Sequence, residues 1–188
     1  MIRLLDDLSH HFLDIAENGV NAGARTVELG LHADSGLDVL RIRVRDDGRG
    51  MSPEVVSRAV DPFYTTRTTR RVGLGLPFLK QSAELCDGAF RIDSKVGEGT
   101  LTEASFRLSH IDRPPIGDLG STMMVLLSGH PEVRWRLEVD VDGRIFTFDS
   151  REVLEVLEDP ELFKTPDVCL WVRDTVRQGV EEVLGGLI

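Results

Sequence analysis

The stretch VLRIRVRDDGRGM, residues 39–51, decides the fold. Leu40, Ile42 and Val44 alternate with arginines, which predicts a half-buried strand with one apolar face. The strand runs into the loop Asp46–Met51, whose two glycines stand two residues apart. Such glycines let a flat ring approach the backbone closely, and a carboxylate at a strand end can accept a hydrogen bond from an exocyclic amine. An ordinary Asp-Gly turn explains the same residues, so the loop alone is a weak functional signal.

The segments around this stretch predict alternating helices and hairpins. Apolar residues recur at helical spacing over residues 3–19, and residues 26–32 alternate like a second strand. After the glycine loop, residues 74–85 are again helical, and strands are expected at residues 89–94 and 100–108. The order helix, hairpin, helix, loop, helix, hairpin predicts an α+β two-layer sandwich with helices on one face of the sheet.

The second part of the chain is expected to form a unit of its own. A Pro- and Gly-rich linker, residues 110–120, divides an N-terminal domain, residues 1–110, from a small α+β extension, residues 111–188. Asp142-Gly143 predicts a tight hairpin in this extension. An alternative is that this hairpin extends the first sheet.

Three features of the extension are interpreted as structural. The apolar run TMMVLLS, residues 122–128, predicts a buried strand rather than a partner-binding stripe. Trp135 and Trp171 are predicted to lie in the core. Helices are expected to begin near Asp149 and at Pro166, the second one ending at a pair of glycines.

Charge and composition exclude several classes of protein. The formal net charge is −10, and residues 110–188 hold 16 acidic against 8 basic residues, which disfavours nucleic-acid binding. No apolar stretch approaches the roughly 20 residues of a membrane span, and acidic residues interrupt the start where a signal peptide would be apolar. We therefore expect a cytoplasmic protein with no membrane partner. Cys86 and Cys169 are too few for a disulfide framework and are predicted to be buried thiols.

One stripe of the first helix carries oxygen ligands. Asp14, Asn18 and Asn21 stand at i, i+4 and i+7, so they share a face. A solvated helix face explains them equally well. The functional interpretation is a row of oxygen ligands that binds a hard cation and a water molecule. Mg²⁺ fits such a row because it is coordinated by few protein oxygens together with substrate phosphates.

The sequence of residues 61–77 indicates a second site, one that binds an anion. Residues 61–73 (DPFYTTRTTRRVG) show no periodicity and include Arg67, Arg70 and Arg71. Residues 72–77 (VGLGLP) then lead into a helix, whose first backbone amides favour negative charge. This segment is neither a Walker A loop nor a Rossmann fingerprint, because it lacks the Gly-Lys-Ser/Thr and no strand precedes it.

Taken in order, these segments resemble the gyrase, heat-shock chaperone, histidine kinase and MutL ATPases. The resemblance covers roughly residues 3–108, and the pair DPFYTTR and GLGLPFLK is most similar to the catalytic ATP-binding domain of histidine kinases. It implies a Bergerat ATP-binding fold, with a mixed, mostly antiparallel sheet, and it implies ATP and Mg²⁺ as ligands.

The resemblance assigns a role to each matching residue. Asn18 holds Mg²⁺, with Asn21 beside it, and Asp46 accepts the adenine amino group. The base pocket is lined by Gly48, Gly50, Met51 and Thr100. Phe63 anchors the loop, and the phosphates face Thr65, Thr66, Arg67, Gly73, Leu74, Gly75 and Leu76.

Three departures from the family pattern qualify this assignment. Hydrolysing relatives place a Glu as base four residues before the metal-binding Asn, and here that position is the shorter Asp14. A further loop glycine is replaced by Arg71, which predicts a stiffer, more cationic loop. No dimerising helix pair with a phosphoacceptor histidine precedes the motifs, so a stand-alone form is expected, and His10 and His11 are predicted to lie at the pocket edge.

The residues leave functions of different classes open. The first is an enzyme that transfers the γ-phosphate of ATP to a separate protein, or hydrolyses ATP slowly with Asp14 as base. The alternative is a non-catalytic ATP-sensing subunit, for example of a redox enzyme complex, that docks its partner through the acidic extension. A degenerate fold that binds nothing is the third, and the intact Asn18 and Asp46 argue against it.

Overall fold

The computed structural model describes residues 7–60 and 75–185. The helices are α1 (Leu8–Asn21), α2 (Pro53–Ala59), α3 (Gly75–Leu85), α4 (Leu119–Gly129), α5 (Ser150–Leu157) and α6 (Pro166–Leu184), with a 3₁₀ helix at Pro160–Lys164. The strands are β1 (Thr26–Asp34), β2 (Val39–Asp46), β3 (Ala89–Lys95), β4 (Gly99–Arg107), β5 (Arg134–Val141) and β6 (Arg144–Asp149). None of the helices within these residues is both long and apolar enough to cross a membrane.

All six strands form one sheet in the order β3-β4-β2-β1-β5-β6. Four of the five neighbouring pairs are antiparallel, and β1 with β5 is the parallel pair. Alternation sets the two faces: Leu40, Ile42 and Val44 are buried beneath helices, while the intervening arginines are exposed. The predicted α+β sandwich with a mixed, mostly antiparallel sheet is confirmed.

The hairpin of the C-terminal extension belongs to this same sheet. Strand β5 pairs with β1 from Thr26↔Arg134 to Ala33↔Val141, and one hydrophobic core runs through both parts of the chain. The arrangement is therefore the alternative in which residues 134–149 extend the first sheet. The predicted hairpin turn is present, with positive φ at Asp142 (52°) and Gly143 (81°).

The prediction for the apolar run of the extension is wrong, and those for the two tryptophans and the two cysteines are each half right. The apolar run at residues 122–128 lies in helix α4, which begins at Leu119 with Asp118 as its N-cap. Trp135 is fully buried as predicted, but Trp171 is 51% exposed on α6. Cys86 is buried, whereas Cys169 is partly exposed. The predicted starts of α5 and α6 are confirmed.

Helix α1 packs on the central strands and against α4, and the linker holds its start. Its N-cap is Asp7, whose carboxylate accepts a hydrogen bond from the His10 amide, and residues 3–6 of the predicted helix lie outside the described residues. The amides of Leu8 and Ser9 donate to the carbonyls of Pro115 and Ile116, each at 2.9 Å. The linker thus fixes the start of the helix whose other end carries Asn18.

Candidate functional site

Three polar side chains form a row across one end of the sheet. Asp46 on β2 lies opposite Thr100 on β4, and Thr100 lies opposite Ser94 on β3. Directly opposed residues project to the same face, here the face covered by helices. The row therefore stands at the sheet end where β2 runs into the glycine loop.

Asp46 is a buried carboxylate, 8% exposed. Burial raises its pKa and the nearby charge of Asp47 adds to this, while hydrogen bonds from the backbone amides of Gly48 and Thr100 oppose it. The Gly48 amide donates to Oδ1 at 2.9 Å. Among residues 7–60 and 75–185, no Lys or Arg forms an ion pair with it. Buried carboxylates are normally paired, so this one keeps acceptor capacity for a ligand.

The loop requires glycine at residues 48 and 50 because other atoms of the protein approach the backbone closely there. Gly50 has φ +65°, and a Cβ there would overlap the Lys95 carbonyl. A Cβ on Gly48 would lie 2.8 Å from Asp46 Oδ1 and 2.9 Å from Ala22 Cβ. Any side chain at either position would displace the loop or crowd the carboxylate.

Asp47 fastens this loop to the end of α1. Its Oδ1 accepts hydrogen bonds from the amides of Arg25 at 2.7 Å and Thr26 at 2.9 Å, and the Arg49 amide donates to the Ala22 carbonyl at 3.0 Å. Sequence reasoning did not assign this role to Asp47. The signal was present, because adjacent carboxylates on a strand end point in opposite directions and cannot both enter one pocket.

Helix α1 lies directly over the row. A Cβ on Gly19 would stand 2.8 Å from the Asp46 Cβ, so the helix backbone rests against that side chain. Asn18, the residue before Gly19, is exposed, as is Asp14 one helical turn earlier. A Cβ on Gly75 would lie 3.1 Å from Asp14 Oδ2, which brings the start of α3 beside the same stripe. Helix α1 therefore contacts Asp46 at Gly19 and the start of α3 at Asp14.

Asn21 is placed differently from the other two members of the stripe. Its Nδ2 donates to the carbonyl of Glu17 at 2.6 Å, so the amide group is used within its own helix. The ligand roles of Gly75, Leu76, Met51 and Thr100 stay predictions. Met51 and Thr100 both contact Ser94, and Gly75 lies beside Asp14. Phe63, Thr65, Thr66, Arg67, Gly73 and Leu74 lie outside the described residues.

The two predicted pocket-edge histidines have contrasting surroundings. The His10 side chain is 54% exposed and its Nδ1 lies 2.8 Å from Asp7 Oδ1. His11 is 2% exposed, and its Nδ1 has no hydrogen-bond partner within the part of the chain that the structure describes. Burial lowers the pKa of His11 to about 4, against a smaller opposing effect of the Asp7 charge. His11 is therefore neutral at physiological pH.

The side chains at this site would not by themselves complete the coordination of a metal ion. Within the described part of the chain, no group of three or more His, Cys, Asp or Glu residues is placed to hold one. The exposed amide of Asn18 suits a hard cation that takes its remaining oxygens from phosphates and water. This donor set fits a nucleotide-bound magnesium ion rather than a resident one.

Comparison with known proteins gives consistent matches for the first part of the chain. Residues 4–110 match the family described as "Histidine kinase-, DNA gyrase B-, and HSP90-like ATPase". Sporulation kinase C of Bacillus subtilis is 31% identical over 100 residues, which are 51% of this chain and 22% of that protein. Sensor histidine kinase ZraS of Salmonella typhimurium is 30% identical over 97 residues, or 51% of this chain and 21% of that protein. The chain thus spans less than a quarter of these relatives.

A solved structure extends the likeness in fold beyond the matched residues. The N-terminal domain of a DNA repair protein superposes with a TM-score of 0.55 and 14% identity, covering 77% of this chain and 52% of that one. This share exceeds residues 4–110, so part of the C-terminal extension is matched as well. At this identity the match concerns the fold alone.

Proposed function

Since the chain belongs to the histidine kinase-, DNA gyrase B- and HSP90-like ATPase family and contains its ATP-binding domain, we propose that it binds ATP with Mg²⁺ and transfers the γ-phosphoryl group to a separate protein. Slow hydrolysis is the same chemistry with water as acceptor. In the transfer, the bond between the β–γ bridging oxygen and the γ-phosphorus breaks, a bond to the partner's side chain forms, and ADP leaves.

The buried carboxylate of Asp46, which has no ion-pair partner among the described residues, carries this proposal. It accepts hydrogen bonds from the Gly48 and Thr100 amides, which favour the charged, acceptor-only form, and no cation of the described residues neutralises it. An exocyclic amine of a purine supplies the donor that such a carboxylate requires. Gly48 and Gly50 let the loop backbone pack closely against Asp46, Ala22 and the Lys95 carbonyl, which holds the carboxylate in place for a ligand.

The phosphate end is assigned to α1 and α3. Asn18 would hold the metal, which supplies positive charge to the phosphate oxygens when bound. The first amides of α3, at Gly75 and Leu76, would donate to the same phosphates, because a helix of 11 residues offers unsatisfied amides and partial positive charge at its start. Asp14, beside Gly75, would orient the attacking water or accept a proton from the partner's hydroxyl or imidazole.

Titration calorimetry tests the binding proposal. ATP with Mg²⁺ should give a binding heat that Asp46→Asn weakens about 100-fold, because a charge-assisted hydrogen bond of roughly 2–3 kcal/mol is lost and the new amide opposes the amine. Asp93→Asn is the matched control, since Asp93 is an exposed carboxylate on the neighbouring β3 and pairs with Arg91. The absence of magnesium-dependent heat at millimolar ATP would overturn the proposal.

The sensing alternative is favoured by one contact. Glu17, the neighbour of Asn18, lies 3.2 Å from Nε2 of His130 at the end of α4, so the nucleotide-binding helix is linked to the acidic part of the chain. In that case the extension would dock a protein partner according to nucleotide state. Incubation with γ-³²P-labelled ATP and candidate partners separates the two: label on a partner supports transfer, and tight binding with neither transfer nor turnover supports sensing.

A further inference from the structure

Ser94 occupies the end of the polar row without touching Asp46. Its hydroxyl accepts a hydrogen bond from the Met51 amide at 2.9 Å, lies 3.0 Å from the Gly99 carbonyl oxygen and lies 2.8 Å from Oγ1 of Thr100. Met51 belongs to the glycine loop, whereas Gly99 and Thr100 open β4. One hydroxyl therefore joins the two segments that border the proposed base pocket.

The bonding capacity of a hydroxyl decides the direction of these three contacts. A serine has one proton to donate and two lone pairs to accept with. A carbonyl oxygen cannot donate, so the contact with Gly99 requires the Ser94 proton. The Met51 amide fills one lone pair. The second lone pair is then filled by the proton of Thr100, the one assignment in which all three contacts are hydrogen bonds.

This assignment fixes the polarity of Thr100. With its proton donated to Ser94, the Thr100 hydroxyl presents lone pairs alone to its surroundings. Thr100 lies opposite Asp46, which is itself an acceptor when ionised. Two acceptors on neighbouring strands fit a group with two N–H bonds and repel a carbonyl oxygen in the same place.

We infer that Ser94 is a positioning residue for base selectivity: by committing the Thr100 proton, it makes the Asp46–Thr100 pair select a 6-amino purine over a 6-oxo purine. This rests on the proposed ATP binding, and it names a residue outside the family's ligand assignments. Ser94 acts through Thr100 and does not contact the base.

The test compares the dissociation constants of ATP and inosine triphosphate, both with Mg²⁺. Wild type should prefer ATP. In Ser94→Ala the Thr100 hydroxyl regains a free proton and can donate to a 6-oxo group, so the preference should fall about tenfold, mainly through tighter binding of inosine triphosphate. Ser94→Thr keeps the hydroxyl and should restore the wild-type preference. Ser105→Ala removes a hydroxyl from the same hairpin, where it bonds the Ala89 amide, and should change nothing.

A second variant covers the case in which Ser94→Ala does not fold. Thr100→Val replaces the acceptor by a methyl group and should also lower the preference, but through weaker ATP binding. An unchanged ratio in a folded Ser94→Ala or Thr100→Val protein that still binds ATP would overturn the inference and leave the proposed function intact. Failure of wild type to bind either nucleotide would overturn both.

Discussion

Two aspartates end strands of the same sheet and are treated in opposite ways. Asp149 ends β6 and accepts two hydrogen bonds from Arg134, at 3.1 and 2.6 Å, which together with the Arg151 amide and Arg136 outweigh its burial and lower its pKa. Asp46 ends β2, accepts hydrogen bonds from backbone amides, has no ion-pair partner among residues 7–60 and 75–185, and has a raised pKa. The carboxylate of Asp149 is satisfied by side chains of the fold, whereas that of Asp46 keeps acceptor capacity. This contrast distinguishes a structural carboxylate from the one proposed to bind a ligand.

The largest expected effect is a loss of stability in the C-terminal part of the chain, where Trp135 lies in the hydrophobic core. Trp135→Ala should lower the free energy of unfolding by about 3–5 kcal/mol, because the side chain is fully buried and its Nε1 donates to the His130 carbonyl. Trp171→Ala removes the same group from a half-exposed position on α6 and should cost less than about 1 kcal/mol. Denaturant unfolding of both measures the difference, and equal losses would contradict the assignment.

The second prediction concerns His11, a buried histidine whose Nδ1 has no hydrogen-bond partner among the described residues. The native pKa of about 4 lies below the ordinary 6.5, so the unfolded chain takes up a proton in this interval and the native state does not. Stability should therefore fall as pH drops from 6.5 to 4, with about 3 kcal/mol coming from this residue.

The measurement is unfolding free energy against pH. His11→Gln should flatten the profile between pH 6.5 and 4. His10→Gln changes the neighbouring, half-exposed histidine and provides the matched control. A profile that His10→Gln flattens as much as His11→Gln does would show that the slope has another source.

The third prediction tests the two aspartates directly. Asp149→Asn should cost about 1–2 kcal/mol, because it removes the carboxylate that pairs with Arg134, whereas Arg136 keeps Glu28. Asp46→Asn should leave the apoprotein at least as stable at pH 7, since a raised native pKa means that the ionised form costs folding free energy above the unfolded pKa. Thermal unfolding without nucleotide compares them. A large loss in Asp46→Asn would make Asp46 a structural group like Asp149.

The smallest effect on stability is expected at the contact between α1 and the end of α4. Glu17→Gln weakens a partly exposed pair with His130 and should cost about 0.5 kcal/mol or less. If the extension is structural only, the ATP affinity of this variant stays within about twofold of wild type. A clearly larger change in affinity with unchanged stability would favour the sensing alternative.

Much of this structure could be predicted from periodicity and turn residues. The first two strands, the hairpin at Asp142-Gly143 and the starts of α5 and α6 follow from local rules, because alternation and caps depend on neighbours in sequence. The α4 run could not be assigned by apolar content, since a short run fits a buried strand or a buried helix. The Asp118–Ser121 cap was the local signal for the helix.

The exposed Trp171 shows a different error. Val172, Val176 and Val180 are buried at helical spacing, and residue 171 stands 100° away from the first of them on α6. The spacing of these valines therefore indicates that residue 171 lies off the buried face of the helix. The role of Ser94 was inaccessible for another reason: it depends on the register Ser94↔Thr100↔Asp46, which joins three strands and is not encoded in any local pattern.

The parallel pairing of β1 with β5 has a consequence for how the chain matures. His32 and its partner Asp140 are 108 residues apart, so β1 keeps one unpaired edge until β5 has been synthesised. Contacts of such long range are formed late and slowly. On the ribosome, the nascent nucleotide-binding segment would therefore wait for β5 to emerge, and competence for ATP would be acquired in one late step rather than domain by domain.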